Sequence, residues 1–242
     1  PLQRIAPAAM LGIAMKTNHL IGQFLRKAGF GLGLAVWAAA AWDVQAATVT
    51  TAGSGNWNST ASNAPWPGGT VPATTDNVVI RPGDTVTVTA NRTINSIAFD
   101  NSASTTGTVL VNSSRTLTVT TSITQRNAAS ANTSGAISGA GTITCASVTL
   151  GNTIAPTASA TCILVSTIST FTITGNLAII SQTSGSNNNN STFDLQSGSV
   201  SVGGSVAYTT ADNAASITTL TMANGVQSGT LSLSGSTPFT DS

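Results

Sequence analysis

From Ala47 onward the chain is a succession of short segments in which apolar side chains alternate with Thr, Ser or Asn. "TVTVT", "TVLV", "TLTVT", "FTIT", "SVSV" and "TLSLS" all follow this rule. A period of two puts alternate side chains on opposite faces of an extended strand, and no stretch after Ala47 carries the period of an amphipathic helix. The same stretch contains no Lys and no Glu, residues favoured on helix surfaces. The chain after Ala47 is therefore expected to be all-β.

Aligning the segments gives a loose repeat: apolar, any, apolar, three residues, apolar. It occurs as Leu117-Val119-Ile123, Phe171-Ile173-Leu177, Val200-Val202-Val206 and Leu220-Met222-Val226, with a looser copy at Ile143 and Cys145. Intervals of roughly 20 to 29 residues fall in the range of stacked coils. Gly175-Asn176, Gly203-Gly204 and Asn224-Gly225 lie between the arms of the unit. They are either two-residue hairpin turns, which would build an antiparallel β-sandwich, or corners of coils; both uses draw on the positive φ that Gly and Asn supply. Recurrence of the unit, few charges and stackable Thr/Ser/Asn rows favour a right-handed parallel β-solenoid. "RNAASANTSGAISGAG" (Arg126 to Gly141) and "SQTSGSNNNNST" (Ser181 to Thr192) show no apolar alternation and are expected to be excursions from the stack.

The N-terminal region differs. Residues 1–14 show no organised pattern and resemble translated upstream sequence. Residues 15–46 carry Lys16, Arg26 and Lys27, an apolar run from Ala28 to Trp42, and Val44-Gln45-Ala46. A positive start, an apolar run too short to span a bilayer, and small residues at the cleavage positions describe a helical secretory signal cut before Ala47. After cleavage no stable membrane span is expected, and the protein would be secreted or held at the outer cell surface. Residues 47–84 are expected to form an N-terminal cap and residues 85–242 the coils, the ending "STPFTDS" suggesting a longer protein.

Removing the leader leaves four arginines (Arg81, Arg92, Arg115, Arg126) and six aspartates (Asp76, Asp84, Asp100, Asp194, Asp212, Asp241), a net charge of −2. The sole His, His19, goes with the leader. No basic footprint for nucleic acid remains. The absence of His, Lys and Glu removes most general acids and bases and any Ser-His triad. A glycosidase needs two carboxyl groups a few ångströms apart, and no Asp-Asp pair occurs in the sequence. Asp76 and Asp84 sit in turn-like contexts, solvated or, with Asp100, as ligands of a weak calcium site; no repeat signature for calcium appears. No catalytic residue, cofactor or metal site is expected, and the protein is read as a non-enzyme.

Two features bear on interactions. Cys145 and Cys162 survive cleavage and would meet an oxidising compartment, where they either form a disulfide or stay as buried thiols. Trp57 and Trp66 stand where the first coil needs covering; they serve either as a cap or as a stacking platform for glycans.

The segment "SGNWNSTASNAPWPGGTVPATTDNVVIRPGDTVTV" resembles the start of bacterial secreted β-strand-repeat exoproteins and of the related eight-glycine domain. The matching positions are Gly55, Trp57, Trp66, Gly69, Val71, Pro72, Asp76, Val79, Ile80, Gly83 and Val86. The resemblance is specific over about 35 residues and compositional beyond them. It implies an adhesin-like surface or secreted protein without settled chemistry. The expected function is a structural or adhesive exoprotein whose partners are surface glycans or other cell-surface proteins. The alternatives are a carbohydrate-binding module or the non-catalytic flank of a polysaccharide-degrading enzyme.

Overall fold

The computed structural model describes residues 46–100, 102–125, 132–151, 157–184, 187–210, 218–222, 229–233 and 239–241. The leader and its cleavage point, apart from Ala46, lie outside them, as does Asn224-Gly225. Strands fill most of what is described, and the single helical element is a 3-10 turn at Pro67–Gly69.

The strands stack as coils with three faces. Strand β1 (Thr48–Thr50) lies on the third face, and β2 (Gly55–Asn56) and β3 (Asn77–Ile80) lie on the first and third. The next coil comprises β4 (Thr85–Val88), β5 (Arg92–Ile94) and β6 (Ser96–Phe99), one per face. After β7 (Gly107–Val111) on the first face, β8 (Thr116–Gln125) turns the corner from second to third without a break. Strand β9 (Thr133–Leu150) runs across all three faces. Strand β10 (Ala160–Ile173) covers two and β11 (Leu177–Ser184) the third. The pattern continues through β12 (Asn187–Leu195), β13 (Gly198–Val202) and β14 (Val206–Thr210), then β15 (Thr218–Met222), β16 (Gly229–Leu233) and β17 (Phe239–Asp241). Among the described residues rung-to-rung pairing is parallel, apart from a short antiparallel stretch between the end of β11 and the start of β12. The protein is a parallel β-solenoid.

Period-two alternation builds its core. On the third face Val78, Ile97, Ile123, Val148, Leu177 and Val206 stack in one row. On the second, Leu117, Ile143, Phe171 and Val200 form one row, and Ile94, Val119, Cys145, Ile173 and Val202 another. All are buried. Burying each such aliphatic side chain stabilises by about 1.5–3 kcal/mol. Phe171 on the second face meets Phe193 on the first, with ring centroids 6.4 Å apart.

Antiparallel hairpins at the repeat corners are excluded. Val206 pairs with Leu177 and Phe239 in parallel, and Val200 with Phe171 and Leu231. Positive φ is not what the corner glycines supply, for neither Gly175, Gly203 nor Gly204 adopts it. They allow close stacking instead. Gly203 N donates to Ile173 O and Gly204 N to Gly175 O, at 2.8 and 2.9 Å. A Cβ on Gly203 would come within 2.5 Å of Thr174 O, and one on Gly204 would collide with Asn176 Oδ1. Positive φ is needed at the corner from the first face to the second, where Gly139 (φ 109°) and Gly198 (φ 81°) stand.

Three sequence expectations are corrected. Leu220 and Met222 do not continue the repeat: they stack on Phe193 and Leu195 of the first face, and Leu231 and Leu233 extend the second-face rows. Thr133 to Gly141 is strand, with Thr133, Gly135 and Ile137 turned inward. Asn187 to Asn190 is strand as well, pairing antiparallel with the end of β11, while Asn189 and Asn190 also stack on Ala160 and Thr161. Strands β1, β2 and β3, before residue 84, already belong to the ladders.

Candidate functional site

Between β2 and β3, where a second-face strand would lie, residues 57–76 fold back on themselves. Trp57 N still pairs with Thr87 O at 2.8 Å, which fixes Trp57 against the next coil. Trp66 Nε1 donates to Trp57 O at 2.5 Å, and the two rings meet edge to face with centroids 5.0 Å apart. Trp57 is 1% exposed and Trp66 0%, and both belong to the same apolar cluster as Val86 and Ile94. Neither ring offers a face to a sugar.

The two turn aspartates stitch this end together. Asp84 is buried and accepts from Thr51 Oγ1 at 2.5 Å and Arg81 Nε at 3.1 Å. Thr51 Oγ1 in turn accepts from Arg81 N at 3.0 Å. Asp76 accepts from Ala47 N at 3.0 Å and Ala73 N at 2.8 Å, tying the start of β1 to the turn before β3. Asp76 thus holds two backbone donors, and Asp84 a hydroxyl and a guanidinium. Asp100 accepts from Ser102 at its exposed turn. Among the described residues no three His, Cys, Asp or Glu side chains gather in a metal-binding group.

The cysteines are not bridged. Both are free and buried, in different ladders: Cys145 lies inward between Val119 and Ile173, and Cys162 between Thr133 and Ser191. The sequence interval of less than one coil leaves them on different faces, Cys145 on the second and Cys162 on the first, rather than bringing them together. Burial pushes the Cys145 thiol up to about 12. Burial also raises Cys162 to about 11, against the opposing effect of hydrogen bonds from Gly151 and Thr133. Cys162 Sγ donates to Gln125 O at 3.3 Å.

Cys162 marks a polar seam inside the stack that sequence reasoning missed. Gln125, Thr133, Ser166, Ser181, Asn189 and Ser191 are all buried. Ser191 N donates to Ser181 Oγ at 3.0 Å. Gln125 occupies an inward position between Phe99 and Leu150. Gly135 makes room for it, since a Cβ there would lie 2.5 Å from Gln125 Oε1 and 2.7 Å from Phe99 Cγ. An inward Gln reads in sequence like any outward polar residue, so no local signal marks it.

The outward surfaces differ from one another. On the first face one outward row runs Thr85, Thr108, Ala136, Val165, Asp194, Thr221. On the third it runs Val79, Ala98, Thr124, Thr149, Ala178, Ala207. The second face has two rows made of hydroxyls alone. Thr116, Thr142, Thr170, Ser199 and Thr230 form one; Thr118, Thr144, Thr172, Ser201 and Ser232 form the other. The Thr/Ser-x-Thr/Ser pattern is visible in sequence, but its alignment into rows depends on the register. No family model, curated protein or solved structure matches the chain.

Proposed function

We propose that the chain is a non-enzymatic, exported structural or adhesive protein of the cell surface, akin to the strand-repeat exoproteins that its Gly55 to Val88 segment resembles. The observation that carries this reading is the parallel stack with its second-face rows of uncharged hydroxyls. Such a stack displays area along its length rather than converging reactive groups on one point. Its carboxylates at the N-terminal end support the same reading, because Asp76 and Asp84 are engaged by Ala47, Ala73, Thr51 and Arg81. Burial of Trp57 and Trp66 favours a structural role for them over a glycan platform.

The test combines export and activity. Intact-mass measurement of the exported protein is expected to give a chain starting at Ala47, and protease shaving of whole cells to release it. Retention of residues 28–42 in a membrane fraction would refute the export reading. Turnover of any polysaccharide by the purified chain would refute the non-enzymatic one.

A further inference from the structure

The two hydroxyl rows of the second face form a lattice, and the geometry points to a partner that is itself a lattice of hydrogen-bonding oxygens: the surface of ice. Along the stack the rows repeat at the strand separation, about 4.8 Å; across it, residues i and i+2 of a parallel strand stand about 6.6 Å apart. Tetrahedral water with O–H···O contacts of about 2.75 Å repeats at about 4.5 Å in one direction and about 7.3 Å at right angles. The rung mismatch of about 0.3 Å accumulates to about 1.2 Å over the five rungs from β8 to β16, well under half a repeat. The hydroxyls therefore stay in phase with such a surface along the whole array.

Three further observations favour this occupant. The array contains no charged residue and no aromatic, so it neither organises water around ions nor stacks on sugar rings. Most of its positions are Thr, whose β-branch restricts χ1 and sets a methyl beside each hydroxyl. Among the described residues no hydrogen bond within the chain engages these hydroxyls, and Thr170, Ser199, Thr230 and Ser232 are exposed. The composition of the chain does not explain the array, because the equally strand-rich first and third faces interrupt their outward rows with Ala, Val and Asp. The second face alone keeps a hydroxyl at every one of these positions.

The experiment measures ice recrystallisation and partition of the fluorescently labelled full chain into slowly grown ice. The wild-type chain is expected to enter the ice and to inhibit recrystallisation. The pair Thr144→Lys, Thr172→Lys should raise the inhibitory concentration at least tenfold, while Thr108→Lys on the first face leaves it unchanged. Far-UV melting checks each fold. If the lysine pair melts early, Thr144→Tyr with Thr172→Tyr serves instead, blocking flush contact with a residue that strands accept. Exclusion of the wild-type chain from ice overturns the proposal, and so does equal loss in Thr108→Lys. Retention on cellulose or chitin powder without activity on ice, abolished by the same pairs, overturns it in favour of a crystalline polysaccharide.

Discussion

Trp66 does two things at once: it fills the end of the core and it satisfies the Trp57 carbonyl. Separating them is straightforward. Trp66→Ala should cost about 3–5 kcal/mol as a large core truncation. Trp66→Phe keeps most of the ring but leaves a buried carbonyl unpaired, for a cost of about 1–3 kcal/mol. Urea unfolding of both variants checks the order. Equal stability of Trp66→Ala and the wild type would remove the cap from the account. The burial of these rings was legible in sequence from their place ahead of the regularly alternating segments; their mutual hydrogen bond was not, because it depends on how residues 57–76 double back. The same holds for Asp76 and Asp84, whose turn settings were legible but whose partners Ala47 and Thr51 lie about one coil away in sequence.

The thiols give a pH signature at the same scale. An unfolded thiol ionises near 9.0, whereas folded Cys162 and Cys145 do so near 11 and 12. Above pH 9 the unfolded state sheds these protons first. Their contribution to stability is therefore complete below pH 9 and is lost as pH rises toward 11–12, with a slope of about 1.4 kcal/mol per pH unit for each thiol. Tyr208, also raised by burial, adds a change of the same sign. Urea midpoints should be level from pH 7 to 8.5 and fall beyond it, less steeply in Cys145→Ala, Cys162→Ala. Iodoacetamide at pH 8 should label neither cysteine until urea is added, whereas a disulfide would resist labelling even then.

At the scale of the strand and corner, the repeat was legible wherever one corner recurs. Leu117-Val119-Ile123, Phe171-Ile173-Leu177 and Val200-Val202-Val206 all turn from the second face to the third. Leu220-Met222 was misplaced because the apolar-x-apolar arm is common to all faces, and only pairing partners tell one face from another. The Ser/Asn/Gly segments were misread as loops for a different reason. Their inward positions are filled by Thr133, Gly135, Asn189 and Ser191, so the alternation that reveals a strand elsewhere is missing from them. The corner glycines are a test of the stacking explanation. Gly203→Val, which carries its Cβ into Thr174 O, should destabilise by about 1–3 kcal/mol as an overpacked site. Hydrogen exchange should locate the damage between β10 and β16. A Gly203→Val protein as stable as the wild type would mean that the corners yield freely.

For the molecule as a whole, parallel register makes each coil depend on its neighbours, so damage at one level spreads along the stack rather than staying local. Coil length has a further consequence. Successive residues on the third face, such as Leu177 and Val206, are one coil apart, the same interval of 29 residues that separates Asn176 from Ser205. The stride is not constant: it grows from 19 residues between Val78 and Ile97 to 33 between Val206 and Phe239. Pulled from its termini, the solenoid would be a spring in which a 29-residue coil that peels away frees about 100 Å of extended chain while shortening the stack by only about 5 Å. A tether of this kind lengthens under load in steps set by the length of each coil and shortens again rung by rung when the load is removed.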